Sequence, residues 1–262
     1  MRDARTFLFV PGDRPDRFDK ARRSGADVVI VDLEDAVAPD AKATARAATV
    51  QALLAGATVA VRVSAAGTAD HEADLAALRG APRPAAVVLA KSESSESIAR
   101  VGAIGAPVIP LVETALGLTR AAELAAAPGV ARLAFGALDF TLDLDAELDP
   151  ALLDYARVRL VLCSRVAGIA APLDSPTTEF LRPEVARREA CRARQLGMGG
   201  KLCIHPAQIT VVAAAFHPTP EEIERARRIV AAAGSAAGAT AESGAMIDRP
   251  ILEKARQTLS RA

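Results

Sequence analysis

Eight short apolar runs rich in β-branched residues alternate with amphipathic segments between Thr6 and Ile204, and this rhythm constrains the fold most. The runs are Thr6 to Val10, Val28 to Leu33, Thr58 to Val63, Ala86 to Ala90, Val108 to Val112, Ala131 to Phe135, Val166 to Ala170 and Lys201 to Ile204. Strands that alternate with helices indicate right-handed crossovers and a parallel sheet. Eight such units predict an α/β fold of the (β/α)8 TIM-barrel type.

Between the runs, apolar residues recur at three- and four-residue spacing, which predicts amphipathic helices. The predicted helices are Asp16 to Ser24, Ala41 to Leu54, Asp70 to Leu78, Ser95 to Val101, Leu116 to Ala125, Pro150 to Ser164 and Val185 to Leu196. An open doubly wound sheet is the alternative architecture. It is disfavoured because no GxGxxG motif follows the first strand.

The pattern changes after the eighth run. Pro220 to Ala233 predicts a long helix, Gly234 to Gly244 a flexible linker of small residues, and Arg249 to Leu259 a last helix. We therefore expect a barrel domain over residues 1–217 and a C-terminal helical extension over residues 218–262. The last helix has an apolar side that needs a covering surface, which we expect a neighbouring protomer to provide. Its members are Ile251, Leu252, Ala255 and Leu259.

Composition excludes several function classes. The 262-residue chain carries 32 Lys and Arg against 32 Asp and Glu. It therefore lacks the excess of positive charge that would indicate a nucleic-acid partner. With 51% hydrophobic and 24% charged residues, it can bury a core. No window approaches the roughly 18 uninterrupted apolar residues of a membrane span, and no secretion signal is visible. Three cysteines without CxxC spacing argue against a disulfide framework, and we expect a cytoplasmic protein.

Charged residues follow the predicted strands at their C-terminal ends, where barrel enzymes build their active sites. They are Asp32, Glu34 and Asp35 after the second strand, Arg62, Lys91, Glu113 and Asp139 after the third to sixth, Asp174 after the seventh, and His205 after the eighth. Solvation alone does not explain an acid, base or cation at seven consecutive strand ends. We expect these side chains to face the barrel mouth.

So many carboxylates around Arg62 and Lys91 would repel one another unless a cation joined them, which indicates a divalent metal. Oxygen ligands favour Mg²⁺ over zinc. Glu113 and Asp139 are one βα unit apart, and we predict that they are the metal ligands, with water and substrate filling the remaining positions. His205 precedes a proline and is interpreted as a loop or capping residue.

Two cationic residues at strand ends have open roles. Arg62 offers a planar fork that suits a substrate carboxylate or a developing enolate oxygen, and an ion pair with Glu34 or Asp35 is compatible with this. Lys91 could alternatively be a nucleophile that forms a Schiff base with the substrate, because Schiff-base aldolases carry their lysine at such a position.

Arg14, Arg17 and Lys20 fall within one loop and one helical turn after the first strand. Such a group can meet phosphates despite the zero net charge of the chain. The alternative is an ordinary solvated helix face.

Several segments, taken together, resemble the HpcH/HpaI aldolase and citrate lyase family. They are RTFLFVPGDRPDRFDKA, DLEDAV, VAVRVSAAGT, VVLAKSES, VIPLVETALGL, LAFGALDF, AAPLDS, GGKLCIHPAQI and GAMIDRPILEKA. The resemblance covers nearly the whole chain. Within this family, the same segments resemble most specifically the citrate lyase β-subunit-like branch, which includes malyl-CoA, citramalyl-CoA and β-methylmalyl-CoA lyases. The chain departs from many relatives in lacking a proline before Lys91.

The resemblance implies a Mg²⁺-dependent barrel that breaks or forms a C–C bond beside a thioester carbonyl. Glu113 and Asp139 would bind the metal, Arg62 would contact the substrate carboxylate, and Glu34 and Asp35 would support the metal ligands. We also expect the substrate to contact Glu113 and the segment of Gly136, Ala137 and Leu138 that leads into Asp139.

The same resemblance places Arg14 and Lys20 beside the adenosine phosphates of CoA. Asp248 of the MIDRP motif resembles an acid that reaches into a neighbouring protomer's site, which predicts a homo-oligomer such as a trimer. Asp248 as a simple cap of the last helix is the alternative.

These expectations predict an enzyme that cleaves a short 3-hydroxyacyl-CoA thioester of the citramalyl-CoA or malyl-CoA type. The products would be a 2-keto acid and an acyl-CoA, with Asp248 as general acid. Three alternatives stay open: a citrate lyase β-subunit acting on an acyl-carrier-protein thioester, a metal-dependent 2-keto acid aldolase without CoA, and a non-catalytic binding protein.

Overall fold

The structure is a computed structural model that describes residues 1–234, 240–242 and 245–260. The chain divides into two compact units, Met1–Ala213 and Ala214–Ala262. Within the described residues, no helix is long and apolar enough to cross a membrane.

Eight parallel strands close into one barrel in the order β1 to β8, which confirms the predicted TIM-barrel fold. The strands are β1 Thr6–Pro11, β2 Val28–Asp32, β3 Ala60–Val63, β4 Ala86–Leu89, β5 Val108–Val112, β6 Arg132–Phe135, β7 Ala170–Asp174 and β8 Gly200–Cys203.

Helices follow the barrel strands, as the periodicity predicts. In the first unit they are α1 Phe18–Arg22, α2 Lys42–Leu54, α3 Ala69–Arg79, α4 Ser95–Gly102, α5 Ala115–Thr119, α6 Ala121–Ala126, α7 Ala137–Asp143, α8 Pro150–Val166 and α9 Pro183–Gln195. Short 3-10 turns at Pro15–Arg17, Pro39–Ala41 and Pro206–Gln208 lead into α1, α2 and α10 Ile209–Phe216.

Apolar side chains from all eight strands fill the barrel interior. They are Phe7, Ile30, Ala60, Ala86, Val88, Ile109, Leu111, Ala134, Leu173 and Leu202. Because side chains alternate along a strand, the neighbours of these residues point outward toward the helix layer. The interior is therefore packed, and polar chemistry is confined to the ends of the strands.

The predicted seventh strand, Val166 to Ala170, is wrong. Val166 is the last residue of α8, and Gly168 adopts a φ of 70° directly after the helix. Glycine takes this left-handed conformation without steric cost, so the chain turns there. The strand then runs from Ala170 to Asp174, which moves Asp174 from the loop into the strand itself.

The second unit contains α11 Pro220–Gly234, an antiparallel pair of strands, β9 Thr240–Glu242 and β10 Ala245–Ile247, and α12 Arg249–Leu259. The predicted flexible linker over Gly234 to Gly244 is wrong at β9, which pairs with β10. Residues 235–239 and 243–244 of that linker lie outside the described residues.

The apolar side of α12 packs against α11 of its own chain, and its packing on a neighbouring protomer stays a prediction. Leu252, Ala255 and Leu259 join a cluster around Ala226 and Ile229 of α11. Two amphipathic helices of one unit thus cover much of each other's apolar faces, with Leu252 and Leu259 partly buried. Ile251 alone of the predicted set stays exposed.

Candidate functional site

The carboxyl ends of strands β2 to β6 bring acidic and cationic side chains together at the barrel mouth. The turn after β2 supplies Glu34 and Asp35, while β3 supplies Arg62. Lys91 follows β4, Glu113 follows β5 and Asp139 lies in the first turn of α7. Parallel strands end at the same edge of the barrel, which explains how residues so distant in sequence meet.

Arg62 is buried and held by Asp32 in a bidentate ion pair. Arg62 Nε lies 2.7 Å from Asp32 Oδ1, and Nη2 lies 2.6 Å from Oδ2. The other terminal nitrogen, Nη1, lies 2.9 Å from Glu34 Oε2, and the guanidinium stacks over the Phe9 ring. Burial lowers the pKa of Arg62, but Asp32 and Glu34 outweigh this effect and raise it. Arg62 is thus a permanent, fixed cation at the base of the mouth.

The strand-end pattern predicts Asp32 at the barrel mouth but assigns it no role, although it is the main partner of Arg62. It also accepts hydrogen bonds from the backbone N–H groups of Glu34 and Ala36, so it shapes the turn that presents Glu34. The sequence alone could not identify this partnership, because it depends on the register that pairs Asp32 with Arg62 on neighbouring strands.

Lys91 connects the acidic residues through both its side chain and its backbone. Its Nζ lies 2.7 Å from Glu34 Oε1, 3.6 Å from Asp35 Oδ2 and 3.7 Å from Asp139 Oδ1. Partial burial lowers the pKa of Lys91, but Glu34 and the other carboxylates raise it above its ordinary value. A Schiff base needs a neutral amine, so these partners count against Lys91 as a nucleophile.

Glu113 is buried beneath the mouth. Its Oε2 accepts a hydrogen bond of 2.8 Å from the Lys91 backbone N–H. Burial raises the pKa of Glu113 to about 8, and the charges of Glu34 and Asp139 add to this effect. A bound cation would offset that burial.

Gly136 leaves the space that the Glu113 carboxylate occupies. A Cβ atom at Gly136 would lie 2.5 Å from Glu113 Oε1 and 2.6 Å from its Cγ. A side chain at position 136 would therefore displace the acid that the strand end presents.

Glu113 and Asp139 have oxygens available for a metal. Within the described residues, neither Glu113 Oε1 nor the Asp139 carboxylate accepts a hydrogen bond. The same residues contain no group of three or more His, Cys, Asp or Glu side chains arranged as a complete metal site. Two carboxylates with room for water and substrate fit Mg²⁺, which usually keeps several waters.

Asp174 does not join this cluster, which corrects the expectation that it faces the mouth. Leu173 fills the barrel interior, so Asp174, the next residue, points outward. Asp174 is fully buried against Arg157 Nε of α8, at 2.7 Å, and Lys201 Nζ of β8, at 2.9 Å. Burial raises the pKa of Asp174, but these two cations outweigh it and lower the pKa.

His205 caps the short turn at Pro206, as its sequence context predicts. Its ring nitrogen accepts the backbone N–H of Ala207, while the Gln208 side chain accepts the N–H of His205. Capping therefore accounts for the position of His205 without a role as a metal ligand.

The substrate and CoA contacts stay predictions, and the structure gives their local surroundings. The backbone N–H of Ala137 donates to Ser175 Oγ, and Leu138 is half exposed. Arg14 forms an exposed bidentate pair with Asp16, whereas Lys20 is exposed and has no ion-pair partner in the described part of the chain. Asp16 therefore already neutralises part of the positive charge that Arg14 would offer to a phosphate.

Asp248 is the N-cap of α12. Its Oδ1 accepts the backbone N–H of Ile251 at 3.1 Å. The capping role is thus present, and it leaves the second carboxylate oxygen without a bond among the described residues.

A closed parallel barrel with acidic and cationic side chains gathered at its mouth defines the class of the protein as a TIM-barrel enzyme. The family model described as HpcH/HpaI aldolase/citrate lyase matches residues 5–206. A second model, described as a C–C bond lyase of the TIM-barrel fold, matches residues 159–262. The chain belongs to the HpcH/HpaI aldolase/citrate lyase family, and it is a carbon–carbon lyase.

Similar proteins match almost end to end. A citrate lyase subunit beta-like protein of Deinococcus radiodurans is 40% identical, over 98% of this chain and 96% of the relative. A (3S)-malyl-CoA thioesterase of Cereibacter sphaeroides is 34% identical, over 98% of this chain and 94% of the relative. The crystal structure of CitE from Mycobacterium tuberculosis with magnesium, acetoacetate and coenzyme A is 39% identical, with a TM-score of 0.91. The match covers 100% of this chain and 99% of that one.

Proposed function

We propose that the protein is a Mg²⁺-dependent lyase that cleaves short 3-hydroxyacyl-CoA thioesters of the citramalyl-CoA or malyl-CoA type. The products are a 2-keto acid and an acyl-CoA. The observation that carries this proposal is the convergence of Glu113 and Asp139 beside the fixed cation Arg62 at the barrel mouth. The M. tuberculosis structure with magnesium, acetoacetate and coenzyme A supports the cofactor and the substrate class.

Glu113 and Asp139 would hold the metal, which supplies Lewis-acid polarisation of the substrate oxygens when it is bound. Arg62 would neutralise the substrate carboxylate through the remaining N–H groups of its terminal nitrogens, because Asp32 already takes Nε and one N–H of Nη2. When the substrate binds, its carboxylate would contact Arg62 Nη1 beside Glu34 or would replace Glu34 in that ion pair. Arg14 and Lys20 would bind the CoA phosphates and orient the acyl group from a distance.

We also propose a shared active site in a cytoplasmic homo-oligomer, in which Asp248 of one protomer protonates the thioester enolate in the site of its neighbour. The test mixes two inactive variants, Asp248→Asn and Glu113→Gln. Partial recovery of turnover supports a shared site, because some mixed sites contain both intact residues. A mixture that stays inactive although subunits exchange leaves Asp248 as a cap alone.

A second candidate function is thioester hydrolysis, which the malyl-CoA thioesterase relative favours. The two reactions release different products: hydrolysis gives free CoA thiol, whereas C–C cleavage gives a keto acid and leaves the thioester intact. A panel of CoA thioesters, with and without Mg²⁺, is assayed for both products, and free 2-keto-3-deoxy acids and an acyl-carrier-protein thioester are included. Keto acid without thiol from a CoA ester supports the lyase; thiol alone supports the hydrolase.

A further inference from the structure

We propose that Lys91 is a built-in counter-ion of the acidic mouth, and that its ammonium group competes with the divalent cation for this cluster. The proposal rests on the proposed function in one respect, because it takes Glu113 and Asp139 to be the metal ligands. It assigns Lys91 a role in setting metal affinity in place of the Schiff-base chemistry considered above.

The ammonium group of Lys91 is surrounded by carboxylates of the barrel mouth. Lys91 Nζ lies within 4 Å of three carboxylates, those of Glu34, Asp35 and Asp139. Only the Glu34 contact, at 2.7 Å, is a close hydrogen bond. The ammonium therefore balances the charge of the whole group without being locked to one metal-binding carboxylate.

Lys91 differs from the other mouth cation in its freedom to move. Arg62 is buried and fixed by two short bonds to Asp32, whereas the Lys91 side chain is 32% exposed at the end of a flexible stem. Lys91 can withdraw toward Glu34 and solvent when a divalent cation enters. Arg62 cannot, so it is suited to a constant role.

The backbone of Lys91 gives an independent indication. Lys91 adopts a φ of 45°, in the left-handed region that glycine or asparagine occupies more easily. Such strain persists where the surroundings demand it and often marks a functional site. Here the strained residue aims its N–H at Glu113 Oε2 and its ammonium toward Asp139, so one residue contacts both predicted metal ligands.

Electrostatics then fixes the sign of the effect. A positive charge this close to Asp139 repels a divalent cation and stabilises the carboxylates in its absence. Removing the charge should tighten Mg²⁺ binding and destabilise the metal-free protein. A lysine that served only the fold would weaken Mg²⁺ binding when removed.

The experiment titrates Mg²⁺ into substrate-free protein by calorimetry, comparing Lys91→Met with Lys91→Arg, which retains the charge. Lys42→Met is the matched control, because Lys42 Nζ bonds the backbone carbonyls of Leu33 and Glu34 rather than a side-chain carboxylate. We expect roughly tenfold tighter Mg²⁺ binding in Lys91→Met, and a change of less than about threefold in the other two variants. Unchanged or weaker binding in Lys91→Met would overturn the counter-ion role.

Thermal unfolding in EDTA gives a readout that does not depend on the metal. Lys91→Met should unfold at a lower temperature than Lys91→Arg, and equal stability overturns the proposal. If the wild-type protein itself bound no Mg²⁺, the proposed function would fail. The counter-ion role would then be decided by the unfolding comparison alone.

Discussion

Gly136→Ala adds one methyl group beside the acid at the centre of the site. The Cβ would lie 2.5 Å from Glu113 Oε1, 2.6 Å from Cγ and 3.0 Å from Cδ. Gly136 has φ −115° and ψ 97°, a conformation that alanine adopts without strain. The effect therefore comes from the contact with Glu113 and not from the backbone.

The magnitude follows from this overlap. Heavy atoms need about 3.5 Å or more, so the Glu113 carboxylate must move by about 1 Å. Overpacking of this kind costs about 1–3 kcal/mol of stability, and a 1 Å misplacement of a reacting group can lower the rate about 100-fold. We expect a similar loss of turnover and weaker Mg²⁺ binding, with the fold retained.

The assay compares turnover, Mg²⁺ affinity and unfolding free energy with those of Gly102→Ala. Gly102 is the last residue of α4, and a Cβ there meets nothing within 4 Å. This control should keep full activity and gain up to about 1 kcal/mol of stability. A Gly136→Ala variant with unchanged turnover and Mg²⁺ affinity would refute the placement of Glu113 in the site.

Three further predictions concern other parts of the barrel. Replacing Arg14 and Lys20 with Glu should raise KM for a CoA thioester far more than it lowers kcat, as steady-state kinetics will show, because remote phosphate contacts act through binding. Asp174→Asn should lose about 3 kcal/mol of unfolding free energy at pH 7, since it removes the buried carboxylate that two buried cations share and leaves Arg157 with Asp154 and Lys201 with Glu189. The folded-state pKa of Asp174 is lowered, so its contribution to the free energy of unfolding is complete above the unfolded-state pKa of about 4 and is lost as the pH falls below it. Denaturant unfolding at several pH values should show the stability difference between wild type and Asp174→Asn decreasing below about pH 4. Cys191 should react with Ellman's reagent well before Cys203, because burial raises the pKa of the Cys203 thiol to about 12.

The strands that the sequence predicts well are those whose apolar runs are continuous, such as β2 and β5. The strand β7 is misplaced because the apolar end of α8 at Val166 lies close before Ala170, so the two read as one apolar run. Local pattern alone cannot separate an apolar helix end from a strand. The turn at Gly168 separates them in the folded chain.

The site could be predicted as a set of residues but not as a set of contacts. Strand ends identify Arg62 and Glu113, yet choosing Asp32 over Asp35 as the main partner of Arg62 requires the register between β2 and β3. The outward direction of Asp174 likewise depends on where the alternation of β7 begins. The partner of the α12 apolar face depends on tertiary packing, which no periodicity specifies.

We propose that Glu113 and Asp139 hold the cation on which C–C cleavage depends. The most direct measurement is keto-acid release from the best CoA thioester as Mg²⁺ is added back after EDTA, for the wild type, Glu113→Gln and Asp139→Asn, with circular dichroism confirming each fold. We predict that EDTA abolishes release, that Mg²⁺ restores it in the wild type, and that neither folded variant recovers. Undiminished release in EDTA, or full recovery in either variant, would contradict the account.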